Sequence, residues 1–398
     1  MTLKRWAFGL LMATASIVPA TAQDTNGRYV AAWSPSMSAG GPAFHDQTLR
    51  MVVHASIGGT SLRLHLSNLR SSTPLLVGKV SIATQAHGAA AVADSRHAVT
   101  VAQASTFTIP AGGEVVSDPI PVSVEADGNL LVSLYLPRAT EASTWHSDAF
   151  DTTYVAESDH ADDIDGAGYG KSTTSWYYLS GLDVSTAAHG TVVAFGDSIT
   201  DGYNTPTSAY ARWPDALARR LATDHHPMGV VDAGIGGNRV LSDVPNLWQG
   251  ISAIKRFRHD ALDQAGVRTV ILMEGINDIG NDAGPDNRPL TAQAMIDGYR
   301  QLIAKAHGAG VRIIGGTLLP DKGAGYYAPA REAIRQACNR WIRHSGAFDG
   351  VVDFEQAVRD PSDHQALRPS YDSGDHLHPN AAGMQAMADA VDLRLLLN

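Results

Sequence analysis

From about residue 190 to the end, apolar runs of strand length alternate with amphipathic stretches of helix length. This alternation narrows the fold more than any other feature of the chain. The strand-like segments are "TVVAFG", "GVVDAG", "RTVILMEG", "VRIIGGTLL" and "GVVDF". Between and after them come "SAYARWPDALARRLA", "GISAIKRFRHDALDQAG", "TAQAMIDGYRQLIAKAHGAG", "YYAPAREAIRQACNRWIRHSG" and "NAAGMQAMADAVDLRLLL", all with helical spacing. Strands separated by helices join through right-handed crossovers, so the sheet is parallel and helices cover both its faces. The expectation is a flavodoxin-like, three-layer α/β/α domain over 188–398, with its site at the carboxyl ends of the strands.

The stretch before it has a different rhythm. In "SLRLHLSN", Leu62, Leu64 and Leu66 alternate with Arg63 and His65, and further short runs up to "NLLVSLYLP" are each bounded by Gly, Pro, Asp or Asn. Period-two runs with regular turn signals predict a β-sandwich of jelly-roll type over 23–187, with 138–190 expected to pack as loops between the two parts. Residues 1–22 carry Lys4 and Arg5, an apolar run from Trp6 to Val18 and the small-residue pattern Ala20-Thr21-Ala22. That is a signal-peptide pattern, predicting cleavage after Ala22 and a secreted or periplasmic protein. The formal net charge of -10 argues against nucleic acid and anionic membranes as partners. The lone Cys338 allows neither an internal disulfide nor a cysteine metal cluster, and reads as a small buried hydrophobe.

Four loop segments follow strands of the alternating half. "GDSITDG" places Ser198 at a strand end. A serine hydroxyl is a weak nucleophile until a base lies within hydrogen-bond reach and a third group orients that base. In "SGDHLHPNAAG", Asp375 and His378 stand three apart, so the carboxylate can reach one ring nitrogen and leave the other for a serine proton. His376 is the rival base, but Asp375 is adjacent to it in sequence and poorly placed to orient it. "AGIGGN" leaves backbone N–H groups of Gly234, Gly236 and Gly237 open, and "GINDIG" offers the Asn277 amide. Both donor types serve where negative charge develops.

In this order the four segments resemble the blocks of the SGNH (GDSL-type) hydrolase family. The resemblance covers about 190–398, with Ile199 where the family's nickname has Leu. It implies Ser198 as nucleophile and Asp375 and His378 as its partners. It also implies an oxyanion hole from Ser198, Gly237 and Asn277, and no metal or cofactor. The classical α/β-hydrolase fits less well, because its elbow needs Gly where Thr200 stands. More loosely, the β-rich region resembles that of secreted bacterial esterases of plant polysaccharide breakdown. The implied substrate is an acetylated polysaccharide such as xylan or pectin. A lipase, arylesterase or lysophospholipase of the same fold is the rival; it should show an exposed apolar rim, which the sequence does not reveal. A carbohydrate-binding protein with an incidental hydrolase half is the alternative of another class.

Arg239, Trp145 and Trp176 are candidate substrate contacts, the tryptophans as a sugar-stacking platform. "DHADDIDGAG" resembles a calcium loop, but Ala161 breaks its frame at the first ligand position.

Overall fold

The computed structural model describes residues 28–224 and 226–397. The signal-peptide expectation for 1–22 lies outside them.

Residues 28–185 build two large antiparallel sheets, with a three-stranded sheet (Ser38–Gly41, Ser143–His146, Trp176–Tyr177) and a two-stranded one beside them. One has four strands in the order Tyr29–Trp33, Leu179–Ser185, Leu62–Ser67, Glu114–Val116. The other has seven, with Gln47–Ala55 and Gly128–Leu136 at its centre. Leu62, Leu64 and Leu66 of the first sheet and Leu49, Met51, Val53, Val132 and Leu134 of the second lie in one buried core. The alternating polar residues of "LRLHLS" face away from it: Arg63 Nε and His65 Nε2 meet Asp183 Oδ2 at 2.9 and 2.8 Å.

The segment 138–190, expected as loops, is instead integral to these sheets. Leu179–Ser185 is wholly buried and pairs on one side with Tyr29–Trp33 and on the other with Leu62–Ser67. Thr153–Glu157 pairs with Gln47–Ala55. The polar residues that disguised the first of these strands are satisfied inside the fold. Asp183 takes the ion pairs just described, so a buried strand can carry it.

The second half is a five-stranded parallel sheet in the order Gly229–Gly234, Thr191–Gly196, Val267–Met273, Arg312–Gly316, Gly350–Val352. In chain order this is 2-1-3-4-5, so the topological switch point lies between Thr191–Gly196 and Val267–Met273. Alternate side chains of the strands feed two cores. Val193, Phe195, Val270 and Leu272 pack with Phe257, Met295, Tyr299 and Leu302 on one face. Val192, Ala194 and Ile271 pack with Trp213, Leu217, Met384 and Met387 on the other.

The two halves are joined by hydrogen bonds from backbone amides. The Ala31 amide donates to the Ala265 carbonyl at 3.0 Å, and the Val230 amide donates to Ser56 Oγ at 3.0 Å. Gly229 is needed at this seam because a Cβ there would strike the Ala31 carbonyl.

Candidate active site

Strand Thr191–Gly196 ends at the switch point, and the chain turns at once into the short helix Ser198–Asp201. Asp197 caps that helix by accepting from the Ile199 amide at 3.0 Å. Gly196 lets the turn press against the neighbouring strand, since a Cβ there would stand 2.5 Å from the Met273 carbonyl. Burial pushes the Asp197 carboxyl up to about 7.

Across the site, Ser198 Oγ lies 2.8 Å from His378 Nε2, and His378 Nδ1 lies 2.6 Å from Asp375 Oδ2. With Nδ1–H donating to the carboxylate, Nε2 is the free acceptor for the serine proton. Asp375 is held from three sides. Its Oδ1 accepts the amides of Leu377 and His378, both at 2.9 Å, and Asn204 Nδ2 donates to Oδ2 at 2.9 Å. Burial opposes its charge, but the His378 and Leu377 amides and the imidazole outweigh it and keep the carboxyl below its ordinary value. For His378 the balance is reversed. Burial outweighs the pull of Asp375 and lowers its pKa from 6.5, so the ring is neutral and basic at neutral pH. His376, the rival base, is exposed and turned to Asp372.

The glycine turn follows strand Gly229–Gly234. The Gly236 amide donates to Asp201 Oδ2 at 3.2 Å, whereas no partner takes the amide of Gly237 or of Ser198 among the described residues. The Gly234 amide donates to Asp232 Oδ1 at 2.9 Å, so of the three glycines Gly237 has the uncommitted donor. Asn277 is the second residue of the short helix Ile276–Gly280 that follows the central strand. Its Nδ2 donates to the Asn238 carbonyl at 3.0 Å and its Oδ1 accepts from Tyr326 OH at 3.1 Å, which fixes the amide and leaves a second N–H. Asp278 accepts the Val240 and Leu241 amides at 2.8 and 3.1 Å and pins the chain beyond the turn.

Ser198, Gly237, Asn277 and His378 line one pocket of about 210 Å3, completed by Asp148, Tyr203, Gly236, Trp248, Gln249, Tyr326 and Leu377. Arg239, Trp145 and Trp176 do not line it. Trp176 is buried in the β-rich core and donates its indole N–H to the Val52 carbonyl at 2.9 Å. Trp145 donates to the Ala39 carbonyl at 2.9 Å. The charge of Arg239 acts on Asp278 instead. The mouth does carry exposed apolar side chains, contrary to the sequence expectation. Tyr203 and Trp248 line the pocket, and Leu247 precedes Trp248 in the chain; these are three of the five exposed large hydrophobics among the described residues. Tyr203 stands in a turn and Trp248 in the short 3-10 turn Leu247–Gln249, both too short to show periodicity, which is why sequence patterning passes over them.

In the segment that resembles a calcium loop, Asp159 and Asp162 pair with Lys79, and Asp163 with His160.

Residues 194–386 match the family model of the GDSL-like lipase/acylhydrolase family. No curated protein matches the chain. Solved structures similar to it include an acetylxylan esterase from Geobacillus stearothermophilus, with 21% identity over 52% of this chain and 94% of that one and a TM-score of 0.40. A carbohydrate acetylesterase family member from Sinorhizobium meliloti has 18% identity over 52% and 98%, at a TM-score of 0.41. A GDSL-like lipase from Bacteroides thetaiotaomicron has 21% identity over 52% and 87%, at 0.37.

Proposed function

Residues 194–386 form a domain of the GDSL-like lipase/acylhydrolase family, and from that premise we propose a serine esterase in which Ser198 is the nucleophile. The observation that carries this reading is the unbroken line from Ser198 Oγ through the His378 ring to Asp375, at 2.8 and 2.6 Å. Ser198 attacks the ester carbonyl as His378 Nε2 takes its proton. The tetrahedral oxyanion is held by the amides of Ser198 and Gly237 and the free N–H of Asn277. His378 then gives the proton to the leaving alcohol. Water, deprotonated by the same nitrogen, cleaves the acyl-enzyme.

The substrate we propose is a short, acetyl-type ester on a polyhydroxylated alcohol, such as a plant cell-wall polysaccharide. The pocket is smaller than the roughly 300 Å3 at which sites for drug-sized ligands begin. Asp148, Gln249 and Asn277 set polar groups among its aromatic walls, a combination suited to sugar hydroxyls and ring faces. Secretion, through the signal peptide expected at 1–22, is part of the same proposal, as is a jelly-roll sandwich for the β-rich region. The exposed group Tyr203, Leu247 and Trp248 favours one second reading, an aryl or lipid ester. Acetate release from acetylated xylan, run beside p-nitrophenyl acetate and decanoate with Ser198→Ala as control, tests both. Xylan deacetylation lost in the variant supports the first reading. Preference for decanoate supports the second.

A further inference from the structure

We infer that the β-rich region is a working part of the active site, and that its His146 is a positioning residue for the turn carrying Gly237. The inference rests on the esterase reading above and assigns a task to the first half of the chain.

His146 ends the strand Ser143–His146 and is buried. Its Nδ1 donates to the Ser36 carbonyl at 2.8 Å and its Nε2 to Asp201 Oδ1 at 3.0 Å. Asp201 is the last residue of the short helix that begins at Ser198. Its second oxygen, Oδ2, accepts the Gly236 amide at 3.2 Å. One carboxylate therefore ties together the nucleophile's helix, the glycine turn and the β-rich region. By taking the Gly236 N–H it sets the plane of that peptide, and so the direction of the next one, whose N–H is the uncommitted Gly237 donor. The loop after His146 reaches further and sets Asp148 in the pocket wall, where a Cβ on Gly236 would stand 3.0 Å from Asp148 Oδ2.

Both ring nitrogens of His146 donate, which an imidazolium does and a neutral ring cannot. Burial works against that charge, but Asp201 in contact and Asp148 nearby outweigh it and raise the ring to about 9. The charges of Arg212 and Asp232 also interact with that of Asp201. The folded value lies above the ordinary 6.5, so the charged link is complete below about 6.5 and is lost as pH rises through about 9. Above that, Asp201 loses its cationic contact and the turn loses its fixed orientation.

A merely structural histidine would lower stability without changing the chemistry of folded molecules. A positioning histidine changes kcat. The test takes the full chain with His146→Leu, His146→Gln and Asp201→Asn, and measures kcat, KM and melting temperature on p-nitrophenyl acetate, with Ser198→Ala as control. Misplacing one oxyanion donor should lower kcat about 10- to 100-fold with KM unchanged in His146→Leu. Glutamine, which keeps a donor, should restore part of it. The wild-type alkaline limb near pH 9 should vanish in His146→Gln. If His146→Leu does not fold, Asp201→Asn reads the same link from the catalytic side. Folded His146→Leu or Asp201→Asn with wild-type kcat overturns the inference. Hydrolysis that survives Ser198→Ala overturns the esterase reading instead.

Discussion

The ring of Tyr203 lies against the imidazole of His378, with centroids 4.6 Å apart and planes inclined by 51°. Tyr203 is itself 43% exposed, so it is the screen between the base and solvent. Burial is the main cause of the lowered His378 value. Tyr203→Ala should let water reach the ring and move its pKa back toward the ordinary 6.5. Only the neutral ring accepts the serine proton. The acid limb of kcat/KM should therefore shift to higher pH, with activity lost at mildly acidic pH and kept at pH 8. A pH–rate profile of both proteins checks this; an unmoved limb would mean that Tyr203 does not shield the base.

Asn277 is fixed at both ends of its amide, by Asn238 and Tyr326, so its remaining N–H is preorganised. Asn277→Ala should lower kcat about 10²–10³-fold while KM stays nearly constant, because the interaction is made mainly with the oxyanion. Tyr326→Phe removes only one anchor of that amide. It should cost about 1 kcal/mol in transition-state binding, seen in kcat. Steady-state kinetics on a single ester separates the two effects.

Arg256 holds the floor of the site. Its Nη2 donates to the Gly196 carbonyl at 2.8 Å, its Nη1 to the Ala233 carbonyl at 2.8 Å and to Ser36 Oγ at 3.1 Å, and its Nε to Asn238 Oδ1 at 2.8 Å. Asp260 and Glu274 face it at 3.3 and 3.2 Å, and the guanidinium lies over the Phe195 ring. No lysine can reach acceptors on so many sides. Arg256→Met leaves a buried carboxylate and several carbonyls unpartnered. It should destabilise the protein by about 3–5 kcal/mol. Arg256→Lys should recover only part of that in urea unfolding followed by circular dichroism.

Trp248, 36% exposed at the pocket mouth, is placed to stack on the substrate. Trp248→Ala should raise KM several-fold for substrates with a planar or ring-shaped alcohol, in line with about 0.5–1.5 kcal/mol for such contacts. It should leave kcat for small alkyl acetates unchanged. A KM that rises only for long acyl chains would instead favour the lipid-ester reading.

The parallel half was legible because each of its strands is a continuous apolar run, and helices between them leave little choice of topology. Ser198, Asp375, His378 and Asn277 can be named as candidates from the sequence because their type and spacing already suggest a chemistry. Other residues left no such trace. His146 does its work through partners more than fifty residues away, and Arg256 gathers acceptors from several separate loops and strands, so neither follows a local pattern. The strand Leu179–Ser185 was missed because Ser180 and Asp183 broke its apolar pattern, although the fold satisfies Asp183 internally. Trp145 and Trp176 were proposed for the site because aromatics near a junction suit sugar stacking, but their indole N–H groups are committed to backbone carbonyls.

The central claim is that Ser198 carries the acyl group during turnover. The direct measurement is mass spectrometry of the protein quenched with acid during p-nitrophenyl acetate hydrolysis, followed by peptide mapping. The account predicts one acetyl group on the peptide containing Ser198, trapped more fully at low pH where His378 is protonated, and none in Ser198→Ala. Acetyl found on another residue, or steady hydrolysis by Ser198→Ala, would contradict it.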